Sequence, residues 1–307
     1  MHLSSAHPTK RPPRVGGIGR RIVSIGRGAL DLLPKLGISP AAMLNAVSKL
    51  VPGPDRVTLI RSALFGTDPR QALDVWAPSD RGPDPLPIIV FFYGGGWESG
   101  ERRDFGFVGR ALAAKGFMAV LPDYRRLPDH VFPSFVEDGA AAVQWVIDHA
   151  DELGGDTSRI AVSGHSAGAH LAALIAYDRR YGVADKIGAA AFLSGPFDFD
   201  PMAYRETRLA MGVWQQQADV MPVHFARADA PPTLIVTGTG DIVVRARNSQ
   251  SMARALSAKG APVELKLYRG QTHSDLIKSF SPLFRAANPV LDDVTNFLSA
   301  TFAEKPA

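Results

Sequence analysis

The sequence predicts an α/β fold, a mostly parallel central sheet with helices on both faces. Three observations predict it. From Ile88 onward, short apolar runs rich in β-branched residues alternate with helix-forming stretches, as in repeated strand–helix–strand units. The run Ile88-Ile89-Val90-Phe91-Phe92 is continuously apolar, as expected of a strand buried on both faces. A third stretch, Ile160-Ala161-Val162-Ser163, passes through Gly164-His165-Ser166-Ala167-Gly168 directly into the alanine- and leucine-rich helical run that starts at Ala169. With 307 residues, 46% of them hydrophobic, one large α/β domain is expected over two small ones.

The elements follow in order. Residues 1–18 are rich in Ser, Pro and Gly and read as a flexible arm. Residues 22–33 and 40–50 have the spacing of two short amphipathic helices, the second opened by Ser39-Pro40 in cap and first-turn positions. The domain division is thus a basic N-terminal segment, residues 1–54, and a catalytic domain, residues 55–307. The two helices either pack on the core, cover the site as a lid, or meet an anionic membrane surface. Strands are expected at 57–60 and 72–76 around a Gly66/Pro69 turn, then at 88–92 after a Pro- and Gly-rich loop. Next come a helix at 107–115, a strand at 118–121 and a long helix at 135–149 with Glu137 and Asp138 in its first turn, where the helix dipole favours acids. After the serine strand and its helix, strands are expected at 187–193, 233–237 and 263–268, and helices at 248–259 and 289–302, with 269–275 a loop. Eight strands result, and residues 197–230 leave room for a short cap-like insertion.

Composition excludes several classes. Cysteine is absent, which removes disulfides, thiolate catalysis and cysteine-ligated metals and fits a reducing, cytoplasmic setting. No apolar stretch approaches the roughly 18 residues of a spanning helix, and the stretch after Arg20-Arg21 is too interrupted by charge for a secretory signal. The net charge of +4 resides in the first 50 residues, where eight Lys and Arg face Asp31 alone. The catalytic region is therefore slightly acidic and carries no basic, aromatic-interleaved stripe for nucleic acid.

In a sheet of this kind ligands bind beyond the C-terminal strand ends. Four candidates fall there: Tyr93-Gly94-Gly95-Gly96-Trp97, Ser166, Asp241 and His273. Ser166 sits at a strand-to-helix apex, where its Oγ projects and the amide of Ala167 opens a helix that favours an anion. His273 is placed to take the serine proton and return it to a leaving group, and Asp241 to orient and stabilise the imidazole. Asp198 and Asp200 are the rival acids. Gly95, Gly96 and Ala167 supply amides for an oxyanion, and Trp97 is assigned to substrate binding. His165 is expected to pack behind the turn. Asp123 and Arg125 are expected to form a structural ion pair.

These motifs, with Pro122-Asp123-Tyr124-Arg125, Phe132-Pro133 and Glu137-Asp138, resemble the α/β-hydrolase superfamily, and within it the carboxylesterases of the hormone-sensitive-lipase and feruloyl-esterase-like branches. The resemblance covers about residues 55–303. It implies an α/β-hydrolase fold and a serine carboxylesterase acting on short-chain or aryl esters of small molecules, without metal or cofactor. An arylformamidase-type amidohydrolase resembles the same branch and shares its triad, and some relatives of the fold are non-catalytic binding proteins. One departure stands out: Tyr93 replaces the histidine these families usually carry at the head of the oxyanion loop. Oligomeric state is left open, a homodimer included.

Overall fold

The computed structural model describes residues 39–51, 56–212, 214 and 216–304. The expected arm and the helix at 22–33 lie outside the described residues. The first described element is α1 (Pro40–Leu50). Its start is set by Ser39, whose Oγ accepts the Ala42 amide at 3.3 Å, and by Pro40, which has no N–H to leave unsatisfied.

Eight strands make up one sheet: β1 (Val57–Leu64), β2 (Ala72–Pro78), β3 (Leu86–Phe92), β4 (Met118–Pro122), β5 (Gly155–His165), β6 (Ala189–Leu193), β7 (Thr233–Gly238) and β8 (Val263–Tyr268). Their order is β1-β2-β4-β3-β5-β6-β7-β8. β2 pairs antiparallel with both β1 and β4, and all other pairs are parallel. Between the strands run α2 (Gly106–Ala113), α3 (Ser134–Leu153), α4 (Ala167–Tyr177), α5 (Arg205–Met211) and α6 (Arg247–Ala258); α7 (His273–Lys278) and α8 (Val290–Ala303) follow β8. This is the α/β-hydrolase arrangement.

Burial explains the strand sequences. β4, β6 and β7 are buried at every position, and β3 from Ile88 to Phe92, so all tolerate uninterrupted apolar runs. β6 reads Ala-Ala-Ala-Phe-Leu, poor in strand formers, yet its small side chains let α4 and α8 pack against it between β5 and β7. Edge strand β8 instead mixes partly buried and exposed residues.

The structure departs from the sequence reading at element ends. α3 runs four residues further, to Leu153, and stops where Gly154 takes a left-handed φ of 76°. The loop expected at 269–275 ends early, because His273 opens helix α7. Residues 197–230 contain α5 and single 3₁₀ turns at Gln217–Val220 and Pro222–Phe225. Among the described residues no helix is long and apolar enough to cross a membrane.

Candidate active site

The turn from β5 to α4 holds Ser166 at φ 56°, ψ −124°, a conformation that costs a non-glycine residue of order 1–3 kcal/mol. Neighbouring strands hold it there. The Ser166 amide donates to Leu193 O at 3.0 Å, tying the apex to the end of β6. Two residues on, a Cβ at Gly168 would lie 2.1 Å from Phe92 O, so only glycine lets α4 start this close to β3. The pattern of glycines around Ser166 thus records a close approach of helix and sheet.

His273 and Asp241 come from adjacent loops stitched together by backbone bonds. Thr239 N donates to Tyr268 O and Gly240 N to Gln271 O, both at 3.0 Å. His273 Nδ1 donates to Asp241 Oδ2 at 2.7 Å, which leaves Nε2 as the ring's acceptor. The other carboxylate oxygen, Asp241 Oδ1, accepts the amides of Val243 and Val244 at 3.0 and 2.8 Å. Burial pushes the Asp241 carboxyl up, but the hydrogen bond and charge of His273, the Val244 amide and the nearby Ser194 hydroxyl outweigh it and hold the group below its ordinary value. Neither rival acid reaches the histidine: Asp198 accepts from Ser251 Oγ, and Asp200 caps the turn at Met202. Ser166 and His273 face the same cavity. Among the described residues no hydrogen bond joins Ser166 Oγ to His273.

His165 packs as expected. It is buried, its Nε2 donates to His273 O at 3.0 Å, and its ring lies 4.6 Å from that of His273. Burial, with the adjacent His273, lowers its pKa to about 3, so it stays neutral. His170, one turn along α4, is also buried, donates to Val220 O at 2.7 Å, and is lowered by burial to about 4.

The loop after β3 faces Ser166 across the cavity. Gly95 and Gly96 have φ of 149° and 62°, and a Cβ on Gly95 would strike Ser99 O at 2.1 Å. Among the described residues the amides of Gly95, Gly96 and Ala167 are committed to no acceptor, and all three residues line the cavity. Trp97 also lines it but is 4% exposed; with φ 57° its ring is wedged edge-on against His170, 5.2 Å away. It forms part of the floor and offers little free surface.

Tyr93 anchors this loop through a route that its sequence neighbours do not reveal. Its hydroxyl donates to Asp123 Oδ1 at 2.9 Å, its carbonyl accepts from Tyr124 OH at 2.9 Å, and its ring stacks between Phe105 and Tyr124. Burial above all, and then Tyr124 and Asp123, keep the phenol protonated well above its ordinary pKa, hence a donor. The expected Asp123–Arg125 pair does not form. Asp123 binds Arg102, which also reaches Asp74 at 3.1 Å, and Arg125 instead clasps the buried Asp138 at 2.8 Å. Adjacent residues at a strand end diverge, and each finds its partner on another element.

The cavity has a volume of about 1230 Å³. One wall is apolar, from Leu44 of α1, Phe105, Phe107 and Ile277; the mouth carries Ile242 and Val243, 88% and 68% exposed. Among the described residues no cluster of three His, Asp or Glu side chains is arranged to hold a metal ion.

A strained serine at a strand–helix elbow, a histidine–carboxylate couple and unspent amides sit at the C-terminal edge of an α/β-hydrolase sheet. The BD-FAE family model matches residues 73–256, and the chain belongs to that family. Esterase LipC of Mycobacterium tuberculosis is 31% identical over 64% of this chain and 55% of its own length. A probable isoprenylcysteine alpha-carbonyl methylesterase of Oryza sativa subsp. japonica is 27% identical over 91% of this chain and 77% of its own. The chain thus spans about half of the first relative and three-quarters of the second. Among solved structures, a thermophilic esterase of Thermogutta terrifontis with butyrate bound superposes with a TM-score of 0.66 at 27% identity, over 80% of this chain and 96% of that one.

Proposed function

We propose that this protein is a serine carboxylesterase that cleaves short-chain or aryl esters through an acyl-enzyme. The observation that carries the reading is the 2.7 Å His273–Asp241 hydrogen bond set in the same cavity as the strained Ser166. In this reading Ser166 Oγ attacks the ester carbonyl as His273 Nε2 takes its proton. The oxyanion falls among the amides of Gly95, Gly96 and Ala167, and removing one such donor typically costs about 10²- to 10³-fold in rate. The charged imidazole, held by Asp241, then protonates the departing alkoxide, and water resolves the acyl-enzyme by the same steps. Relatives named esterase support the reaction class. A cavity somewhat above the usual range of about 300–1,000 Å³ for small-molecule sites leaves room for an aryl alcohol beside a short acyl group.

In this reading residues 55–307 are the catalytic domain, with 197–230 as a small cap, and α1 is the part of the 1–54 segment that covers the site as a lid. Support comes from Ser39, Pro40, Ala41 and Leu44, which border the cavity. The cysteine-free composition supports a cytoplasmic setting.

The test is hydrolysis of p-nitrophenyl esters from acetate to palmitate by the wild type and Ser166→Ala. Activity peaking at short chains and falling by at least about 10³-fold in the variant is expected. Ester hydrolysis that survives in Ser166→Ala, or none by the wild type, overturns the proposal; cleavage of N-formylkynurenine alone would move it to the amide substrate.

A further inference from the structure

One buried hydroxyl beside the triad has no use in the mechanism above. Ser194 follows β6 with φ 46°, in the left-handed region that glycine enters freely and serine does not. It is fully buried, and its Oγ has no partner at normal hydrogen-bond geometry, although it lies near enough to Asp241 to help hold that carboxyl low. Burying a hydroxyl without a partner is unfavourable, and so is holding serine at this φ. A glycine here would remove both penalties, so the side chain itself needs an explanation.

The neighbourhood supplies one. The Ser194 amide donates to Val236 O at 2.9 Å, locking the residue to β7, whose following turn carries Asp241. The preceding carbonyl, Leu193 O, holds the amide of Ser166. Ser194 therefore sits between nucleophile and acid. The Asp241 side chain is itself fully buried, and a carboxylate offers about four acceptor sites. Three are taken, two by the amides of Val243 and Val244 and one by His273. The remaining acceptor site and the Ser194 hydroxyl are near neighbours, since that hydroxyl helps hold the Asp241 carboxyl low, and both are buried away from water.

We infer that Ser194 is a positioning residue: its hydroxyl donates to the remaining acceptor site of Asp241 and fixes the carboxylate in the plane that His273 Nδ1 requires. Rotation about Cα–Cβ and Cβ–Oγ suffices to make the bond, and no covalent step is involved. The bond matters most when His273 is charged, because a carboxylate that swings toward other donors loses its alignment with the imidazolium.

This inference rests on the proposed triad, and its test separates the two. Ser194→Gly and Ser194→Ala are compared with wild type for melting temperature, for kcat and KM on p-nitrophenyl butyrate across pH 5–9, and for the low-field proton resonance of the His273 Nδ1–H. Glycine relieves the backbone strain, so the melting temperature of Ser194→Gly should stay level or rise. Both variants should lose about 10- to 100-fold in kcat, as for a lost hydrogen bond to a charged group, with KM little changed. The acid limb of kcat/KM should move to higher pH, since Asp241 without this donor holds a proton more tightly, and the Nδ1–H resonance should shift. A purely structural serine would leave limb and resonance in place. Wild-type kcat, limb and resonance in Ser194→Gly would overturn the inference, as would a loss confined to Ser194→Ala. If wild type hydrolyses no ester, the esterase reading falls, while the resonance still reports on Ser194 and Asp241.

Discussion

Tyr93 stands where three glycines leave β3, and those glycines cannot hold a shape alone. The phenol supplies what they lack by reaching Asp123, which Arg102 and its amide also bind. Tyr93→Phe keeps the ring stack and removes only the hydroxyl. The lost hydrogen bond should cost about 1–2 kcal/mol of stability, because Asp123 retains its arginine. In the proposed mechanism the glycine loop should loosen without losing an oxyanion donor, so kcat should fall by less than the roughly 100-fold of a deleted donor while KM holds. Urea melts and steady-state kinetics of the one variant check both. A fall in KM-dependent binding alone would mean that the tyrosine does not set the loop. At this scale the sequence was readable where position follows from the strand pattern: Ser166, Asp241 and His273 each follow a strand, and the fold brings Ser166 and His273 to one cavity with Asp241 bonded to the histidine. It was unreadable where partners are distant. Nothing near Asp123 in the chain announces Arg102, and Arg125 two residues away was the nearer but wrong partner. Ser194 carried no motif at all; only its φ and its buried, unpaired oxygen mark it.

Elements show the same division between local and distant signals. Helix α7 was missed although its signal was present, a capping box in which Thr272 and Asp275 satisfy each other's backbone amides. The box places His273 at the first helical residue, so the proposed base stands on a helix start and not in a slack loop. Helix α1 was legible from Ser39-Pro40, but its docking was not, since that rests on polar fasteners to far elements. Asn45 Nδ2 donates to Arg103 O at 2.7 Å, Arg110 donates to Asn45 Oδ1 at 2.9 Å, and Ser48 shares a 2.7 Å hydrogen bond with Ser281. These ties join α1 to the segment after the glycine loop and to the segment after α7. Removing residues 1–50 should therefore widen the cavity and raise KM for butyrate and aryl esters more than it lowers kcat. Unchanged KM values and chain-length preference in a folded truncated protein, judged by circular dichroism, would remove the lid role.

Across the whole molecule the expected sheet formed because the signals for strands buried on both faces reinforce one another, each apolar run requiring covered neighbours on both sides. That same close burial encloses His165 and His170 in neutral form, with pKa values of about 3 and about 4 against an unfolded value near 6.5. The unfolded chain therefore binds more protons than the folded one between about pH 4 and pH 6.5, so stability rises with pH across that window and is lost as pH falls through it. Each histidine contributes up to about 1.4 kcal/mol per pH unit there. Asp241, held low in the fold, adds a loss of the same sign below about pH 4. The melting temperature should thus decline from pH 7 to pH 4.5, steepening below the unfolded histidine value. His170→Phe keeps an aromatic ring beside Trp97 and removes one of the two buried imidazoles. It leaves Val220 O without its donor and lowers stability at neutral pH, but it should flatten the decline toward acid. A slope equal to that of the wild type would show that proton uptake by this buried histidine does not govern the acid lability of the fold.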